Sequence, residues 1–431
     1  MLRLALGRPP AAPPPLRGGA LWAVPPPAPP APCCVPAAFF CPPGSIAVPS
    51  AVNIYYQCPE VPYEKSLRLS LTLAAALLLA AAAAFLLLYF SRVQSVASLQ
   101  KLTDYPDGCD LYRMDIRYGY DLDALIARGI TDDQSMVDTI LKEALPLLPV
   151  SLQAPQFGCT AFTAVEQNGT VYMGRNYDFR RDTSALVVYC APRGGYRSVA
   201  FAALDNIEAN TPEQSLKARL ATLTAPFICL DGMNEKGVCI AVLTLDSEPV
   251  HQNTGRPVIT PTLAIRLVLD RAATTAEAVA LLREYDMLAT GGRDYHFYIT
   301  DAAGDGRVVE YDCDDPARPL IDTPSPAATN FYLLYKEQVK PNQYNGIYGH
   351  GRERYDTVRK VLDRQENELS ALTVWEALQA AAQEPNPEDL TSNTQWSICF
   401  GKTDLTAEIA LRRHWEQVFR FSLAEHSTHR G

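Results

Sequence analysis

The chain has 431 residues, a formal net charge of −10 and a pI near 5.2. An acidic balance of this size argues against nucleic-acid binding, which needs a basic face. Its 11 cysteines include no CxxC and its six histidines are dispersed, so no metal-ligand spacing is present.

Residues 1–65 hold half of the 34 prolines, many in runs such as Pro13-Pro14-Pro15 and Pro25-Pro26-Pro27. Proline fixes φ and removes a donor, so this stretch cannot form a helix interior or a central strand. It reads as a disordered, polyproline-like tail, and its composition, unlike anything downstream, also fits an over-extended translation start. Residues 69–91 carry no charge, proline or glycine. About 20 apolar residues cross a bilayer core, so residues 66–91 are expected to form one transmembrane helix. Basic residues slightly favour its N-terminal side, which implies a single-pass protein with its C-terminal bulk outside.

Residues 92–158 read as a connecting segment. Ser95 to Lys101 continues the helix amphipathically, and Tyr112–Tyr120 alternates like a strand. Met136, Val137, Ile140, Leu141, Ala144 and Leu145 recur at helical spacing after the cap Asp132-Asp133, and Pro146 and Pro149 end the pattern. From residue 159 on, strands are expected at 185–191, 196–204, 227–231, 238–246, 295–300, 307–311, 394–401 and 408–421. Helices are expected at 261–271, 275–285, 352–365 and 370–382. Strand blocks around a pair of helices make an α+β protein. Cys190, Cys229, Cys239 and Cys399 lie in apolar strand-like runs and read as small buried hydrophobes.

Chemistry concentrates at 157–179. Apolar alternation on both sides of Asn168-Gly169 predicts a β-hairpin, because both turn residues tolerate positive φ. The hairpin returns Arg175 and Asp178 to the start of its first strand, beside Cys159. A neighbouring cation lowers a thiol pKa, and Arg175 is placed to do so. Arg175 cannot act as the base, since guanidinium stays protonated. His296 lies at papain-like spacing, but Cys159 enters a strand and lacks the papain motif. The remaining base is the α-amine of Cys159 itself, with a pKa of about 7.7–8. That requires cleavage of the Gly158-Cys159 bond, where glycine permits the strained geometry and exposes its carbonyl.

Gly158-Cys159-Thr160, Gly174-Arg175-Asn176-Tyr177-Asp178 and Asp231-Gly232-Met233-Asn234-Glu235-Lys236-Gly237 together resemble the choloylglycine hydrolase family, which includes bile salt hydrolases and penicillin V acylases. The internal cysteine after a long leader is similar to the isopenicillin N acyltransferase group, which cuts itself at Gly-Cys. Both are N-terminal-nucleophile hydrolases. The resemblance implies a four-layer αββα sandwich over roughly 159–421, within a catalytic domain at 159–431. It implies Cys159 as nucleophile and, through its amine, base. Arg175 orients and stabilises the thiolate, and Asp178 holds the amine. Asn330 donates to the oxyanion, and Arg354 is a second site arginine with Arg352 as competitor. Where bile salt hydrolases carry asparagine on the outgoing strand, this chain has Thr244, whose backbone N–H is the candidate oxyanion donor. Asn234 reads as a turn residue near the site. No metal or organic cofactor is implied. The expected activity is hydrolysis of a linear, non-peptide C–N bond in a small N-acyl amide through a thioester. The alternatives are an acyltransferase with an amine acceptor and a non-catalytic surface-binding protein.

Overall fold

The computed structural model describes residues 63–146, 158–344, 346–364, 369–387 and 392–426. The proline-rich tail, Pro149 and the end of the connecting segment before Gly158 lie outside them. The chain divides into two compact units, Met1–Arg68 and Leu69–Gly431; both sheets and the site belong to the second.

Helix α1 (Tyr63–Ala97) is apolar all round. Its portion Leu67–Ala97 is long and apolar enough to cross a membrane, with a mean hydropathy of 2.6 in its most apolar window and none of that window covered. The helix ends six residues beyond the expected 91, because its last turns find partners. Arg92 donates to the main-chain oxygens of Glu143 and Ala144, Tyr89 donates to that of Pro146, and buried Ser95 Oγ accepts from Arg117 N. The continuation stops at Ala97, and Lys101 already belongs to strand β1 (Gln100–Lys101).

Strand β2 (Leu111–Asp115) is shorter than the alternation suggested. Helices α2 (Leu122–Ala127) and α3 (Asp133–Ala144) follow, α3 opened by a capping box between Asp132 and Ser135. Next come β3 (Gly158–Val165), β4 (Val171–Asp178), β5 (Ala185–Cys190), β6 (Ser198–Ala203) and the short helix α4 (Leu216–Ala221). Phe227, expected in a strand, ends a 3-10 turn over Thr222–Phe227 that contains Pro226. The strands there are β7 (Asp231–Asn234) and β8 (Cys239–Leu245). Then follow β9 (Val258–Ile259), α5 (Pro261–Arg271), α6 (Thr275–Leu282), β10 (Asp286–Met287), β11 (Asp294–Thr300), β12 (Gly306–Tyr311), β13 (Leu320–Pro324) and β14 (Ala327–Ala328). The chain ends with α7 (Arg352–Arg364), α8 (Ala371–Ala380), β15 (Thr394–Gly401), β16 (Thr406–Leu411) and β17 (Val418–Ser422). The single strand expected at 408–421 is therefore two, separated by a turn in which Arg412 and Arg413 take φ values of 42° and 65°.

The fold is mixed α+β. A nine-stranded sheet runs β1-β2-β5-β6-β7-β8-β11-β12-β13 and a six-stranded sheet runs β14-β3-β4-β15-β16-β17. Pairing within both is antiparallel except between β2 and β5. The sheets meet where β3 packs on β8 and β11. Helices α5 and α6 lie on the nine-stranded sheet, and α7 and α8 on the six-stranded one. Cys190, Cys229, Cys239 and Cys399 are buried, as their apolar settings suggested.

The β3–β4 turn differs from the expected two-residue hairpin in one respect that decides the site. Gly169 has φ of +86°, but Asn168 does not enter the left-handed region. Gly169 N instead donates to Glu166 O and Glu166 N to Thr170 O, a three-residue loop closed by a left-handed glycine. The extra loop residue pairs Cys159 with Tyr177 rather than with Asp178. Because side chains alternate, a shift of one residue exchanges the two faces of a strand.

Candidate active site

The register places Cys159 and Arg175 on the face of the hairpin that meets the nine-stranded sheet, and Asp178 on the other. On the inner face the Cys159 thiol, wholly buried, lies against the Arg175 guanidinium. Arg175 is also fully buried. Its Nε donates to Asp231 Oδ2 at 3.1 Å, its Nη1 to Asn176 O at 3.0 Å and its Nη2 to Val242 O at 2.9 Å. Its charge is thus already shared among three acceptors. Burial pushes the Cys159 thiol up to about 12; Arg175 pulls it down, and Asp178 opposes that. Arg175 therefore lowers the thiol's pKa as expected, but desolvation outweighs the cation and the net shift is upward. Asp231, which receives Arg175 on Oδ2, is itself pushed up to about 6 by burial, with Arg175 and a Trp396 hydrogen bond pulling the other way.

The main chain of Cys159 faces a second set of groups. Its N–H donates to Asn330 Oδ1 at 2.9 Å, and its carbonyl oxygen accepts from Arg354 Nη1 at 2.8 Å. Arg354 also donates to Thr160 Oγ1 and to Asn330 Oδ1, both at 2.8 Å, and lies 3.6 Å from Asp178 Oδ2. A side chain at Gly351 would stand 2.3 Å from Arg354 Nη2, and its φ is +81°, so glycine is what lets α7 bring Arg354 this close. Asp178 accepts from Thr394 Oγ1 at 2.6 Å and Gln383 Nε2 at 2.8 Å. Burial raises its pKa, while Arg354, Thr394 and Gln383 pull it down.

Asn330 joins the sheets, since its Nδ2 donates to Thr244 O at 2.9 Å. Thr244 therefore meets Asn330 through its carbonyl, where the sequence pointed to its N–H. The ladder pairs Leu243 with His296, whose ring faces the six-stranded sheet, so the Thr244 side chain points to the opposite face. Its Oγ1 is buried with no hydrogen-bond partner among the described residues. Asn234 stands apart from this cluster. Its Nδ2 donates to Leu269 O and Ala272 O and its Oδ1 accepts from the N–H groups of Lys236 and Val238, so it holds the β7–β8 turn and the end of α5. Arg352, the competitor of Arg354, is engaged by Asp356 and by Lys336 O instead.

The cluster thus gathers Cys159, Arg175, Asp178, Asn330, Arg354 and the Thr244 main chain. Sequence reasoning missed Asp231, the acceptor that fixes Arg175, although it opens the quoted Asp231-Gly232-Met233-Asn234 motif. It also missed Thr160, although it closes the quoted Gly158-Cys159-Thr160 motif, and Gln383 and Thr394, which no local pattern marks because they reach the site through strand pairing and the α8–β15 connection. Chemically, the arrangement holds a thiol beside a cation and the nitrogen of the same residue among amide, guanidinium and carboxylate groups.

Residues 159–315 match the family model described as linear amide C–N hydrolases, choloylglycine hydrolase family. Among solved structures, penicillin V acylase from Agrobacterium tumefaciens is similar at 18% identity, covering 62% of this chain and 87% of that one, with a TM-score of 0.47. A variant of conjugated bile acid hydrolase from Clostridium perfringens is similar at 14% identity, covering 63% and 94%, with a TM-score of 0.48. The motif resemblance and the family match coincide from Cys159 onward: the segment 159–315 is similar to the choloylglycine hydrolase family, whose members are linear amide carbon–nitrogen hydrolases.

Proposed function

We propose that the chain is a membrane-tethered, self-processing cysteine amidase with the four-layer αββα architecture of N-terminal-nucleophile hydrolases. The observation that carries this is the double grip on Cys159: its thiol lies against Arg175 while its own nitrogen is held by Asn330. A thiol pushed up to about 12 needs a base during attack. An amine at the Cys159 nitrogen supplies one within the same residue.

Processing comes first. Cys159 Sγ attacks the Gly158 carbonyl carbon, the thiol proton passes to the departing Cys159 nitrogen, and a thioester to Gly158 forms. Water then cleaves the thioester, leaving a Gly158 carboxylate, a free thiol and a free α-amine. In turnover the amine takes the thiol proton as Sγ attacks the substrate's amide carbon. Asn330 Nδ2 exchanges the Thr244 carbonyl for the developing oxyanion, a donor contribution of about 3–4 kcal/mol. Arg175 balances the sulfur's charge, and Asp178 with Arg354 keeps the amine in place. The leaving amine departs with the proton, and water hydrolyses the acyl thioester. A cleft of about 290 Å³, lined by Leu245, Asp246, Ser247, Gly292 and Arg293, opens one residue beyond Thr244 and offers room for a small N-acyl amide.

Tethering is supported by how β2 is built in. It pairs with β5 over five residues, Tyr112 Oη donates to Glu213, and Tyr118 Oη donates to Leu223 O at 2.6 Å. A cut at Gly158 leaves this strand inside the nine-stranded sheet, so the catalytic piece stays with the membrane helix and works on the outer side. Turnover of a panel of N-acyl amino acids, bile salt conjugates and penicillin V, with Cys159→Ala as control, tests the reading. Acyl transfer to an added amine in preference to water would replace hydrolase with acyltransferase.

A further inference from the structure

One buried polar pair lies just outside the cluster around Cys159. His296 sits on β11 with no exposure, beside Glu310 of β12, equally unexposed. His296 Nδ1 is 3.1 Å from Glu310 Oε1, and Nε2 is 2.7 Å from the main-chain oxygen of Thr329. The imidazole is thus engaged on both sides, and Glu310 is itself anchored: Leu333 N–H donates to its Oε1 at 2.6 Å and Leu334 N–H to its Oε2 at 3.0 Å.

What it holds is the residue before Asn330. Strand β14 ends at Ala328, so no ladder partner fixes the next peptide. Thr329 Oγ1 donates to Gly351 O at 2.9 Å, Asn330 O accepts from His350 N at 2.8 Å, and the Thr329 carbonyl is received by His296. A rotation of that peptide would carry the Asn330 amide off Cys159 N, Arg354 and Thr244 O together. Tyr298, two residues further along β11, spans the sheets in the same way to Thr163 Oγ1 and Ser325 O.

We propose that His296, held in place by Glu310, is a positioning residue that fixes the Thr329–Asn330 peptide and so aims the Asn330 amide at the reacting centre. It is not the base, since both its nitrogens are engaged and neither meets Cys159. The inference rests on the role given to Asn330 in the amidase reading. His296→Ala should lower kcat about 100-fold with KM within about twofold, and His296→Gln, which keeps an N–H for the Thr329 carbonyl, should recover about tenfold. Glu310→Gln, which keeps the shape but loosens the grip on Nδ1, should lower kcat about tenfold. Nitrogen-15 spectra of the asparagine-labelled full chain in detergent, with Asn330 assigned by difference against Asn330→Ala, should show its side-chain amide displaced in His296→Ala and close to its wild-type position in His296→Gln. An Asn330 amide unmoved in a folded His296→Ala, or unchanged kcat in both Glu310→Gln and a folded His296→Ala, overturns the proposal. If His296→Ala does not fold, Glu310→Gln read by kcat and by the same spectra decides it. A wild type that turns over no amide counts against the reaction above, and the spectra then decide this inference alone.

Discussion

Two arginine–carboxylate pairs flank the same cysteine. Arg175 with Asp231 stands on the thiol side, 3.1 Å apart, and Arg354 with Asp178 on the main-chain side, 3.6 Å apart. The first pair is drawn from opposite sheets and is wholly buried. The second lies on the far face of the hairpin, where Arg354 also reaches the Cys159 carbonyl and Asn330. On the proposed mechanism the two sides do different work: one faces a sulfur that must lose a proton, the other a nitrogen that can take it once the bond to Gly158 is cut. A conventional cysteine nucleophile needs only the first.

The comparison can be broken in graded ways. Cys159→Ala removes what both sides hold. It should abolish processing by intact mass and lower turnover by at least about 10⁴-fold. Asn330→Ala, which unlinks the main-chain side from Thr244, should lower kcat by about 10²–10³-fold in steady-state assays. Asp178→Asn should cost about 10–100-fold in kcat, and the loss should be confined to the processed form. Asp231 sharpens the contrast through pH. Its folded pKa, about 6, lies above the ordinary carboxylate value, so its contribution to stability is fullest below about pH 4 and is lost as pH rises through about 6. Denaturant melts in detergent at pH 4.5 and 7.5 should show a shallower pH slope for Asp231→Asn than for the wild type. The smallest effect belongs to Arg352→Ala. Its ion pair with Asp356 is a helix-surface i,i+4 contact, about 0.3–0.5 kcal/mol, and kcat should stay within about twofold.

Much of this was legible in the residues. The periodicity and cap of α3 marked that helix closely, the bounds of α5 match those expected, and Gly158-Cys159 with the Gly174–Asp178 motif pointed to the hairpin end where the polar cluster gathers. The division of labour between the two faces was not legible. It depends on one residue of register, set by whether Asn168 takes positive φ, and the Asn168-Gly169 pair is compatible with either loop. Asp231 was hidden for a similar reason, since only inter-sheet packing brings β7 to Arg175. The break between β16 and β17 rests on Arg412 and Arg413 in left-handed conformations, with no glycine, proline or asparagine to announce it. The net effect on the thiol also escaped the sequence, because a nearby cation is visible there but the loss of solvent is not.

Intact-mass analysis of the purified full chain, with activity measured on the same sample, tests the central claim most directly. The account predicts an active preparation in which a fragment beginning at Cys159 copurifies with the piece that carries α1. A chain that remains uncut at Gly158-Cys159 and is fully active would contradict it.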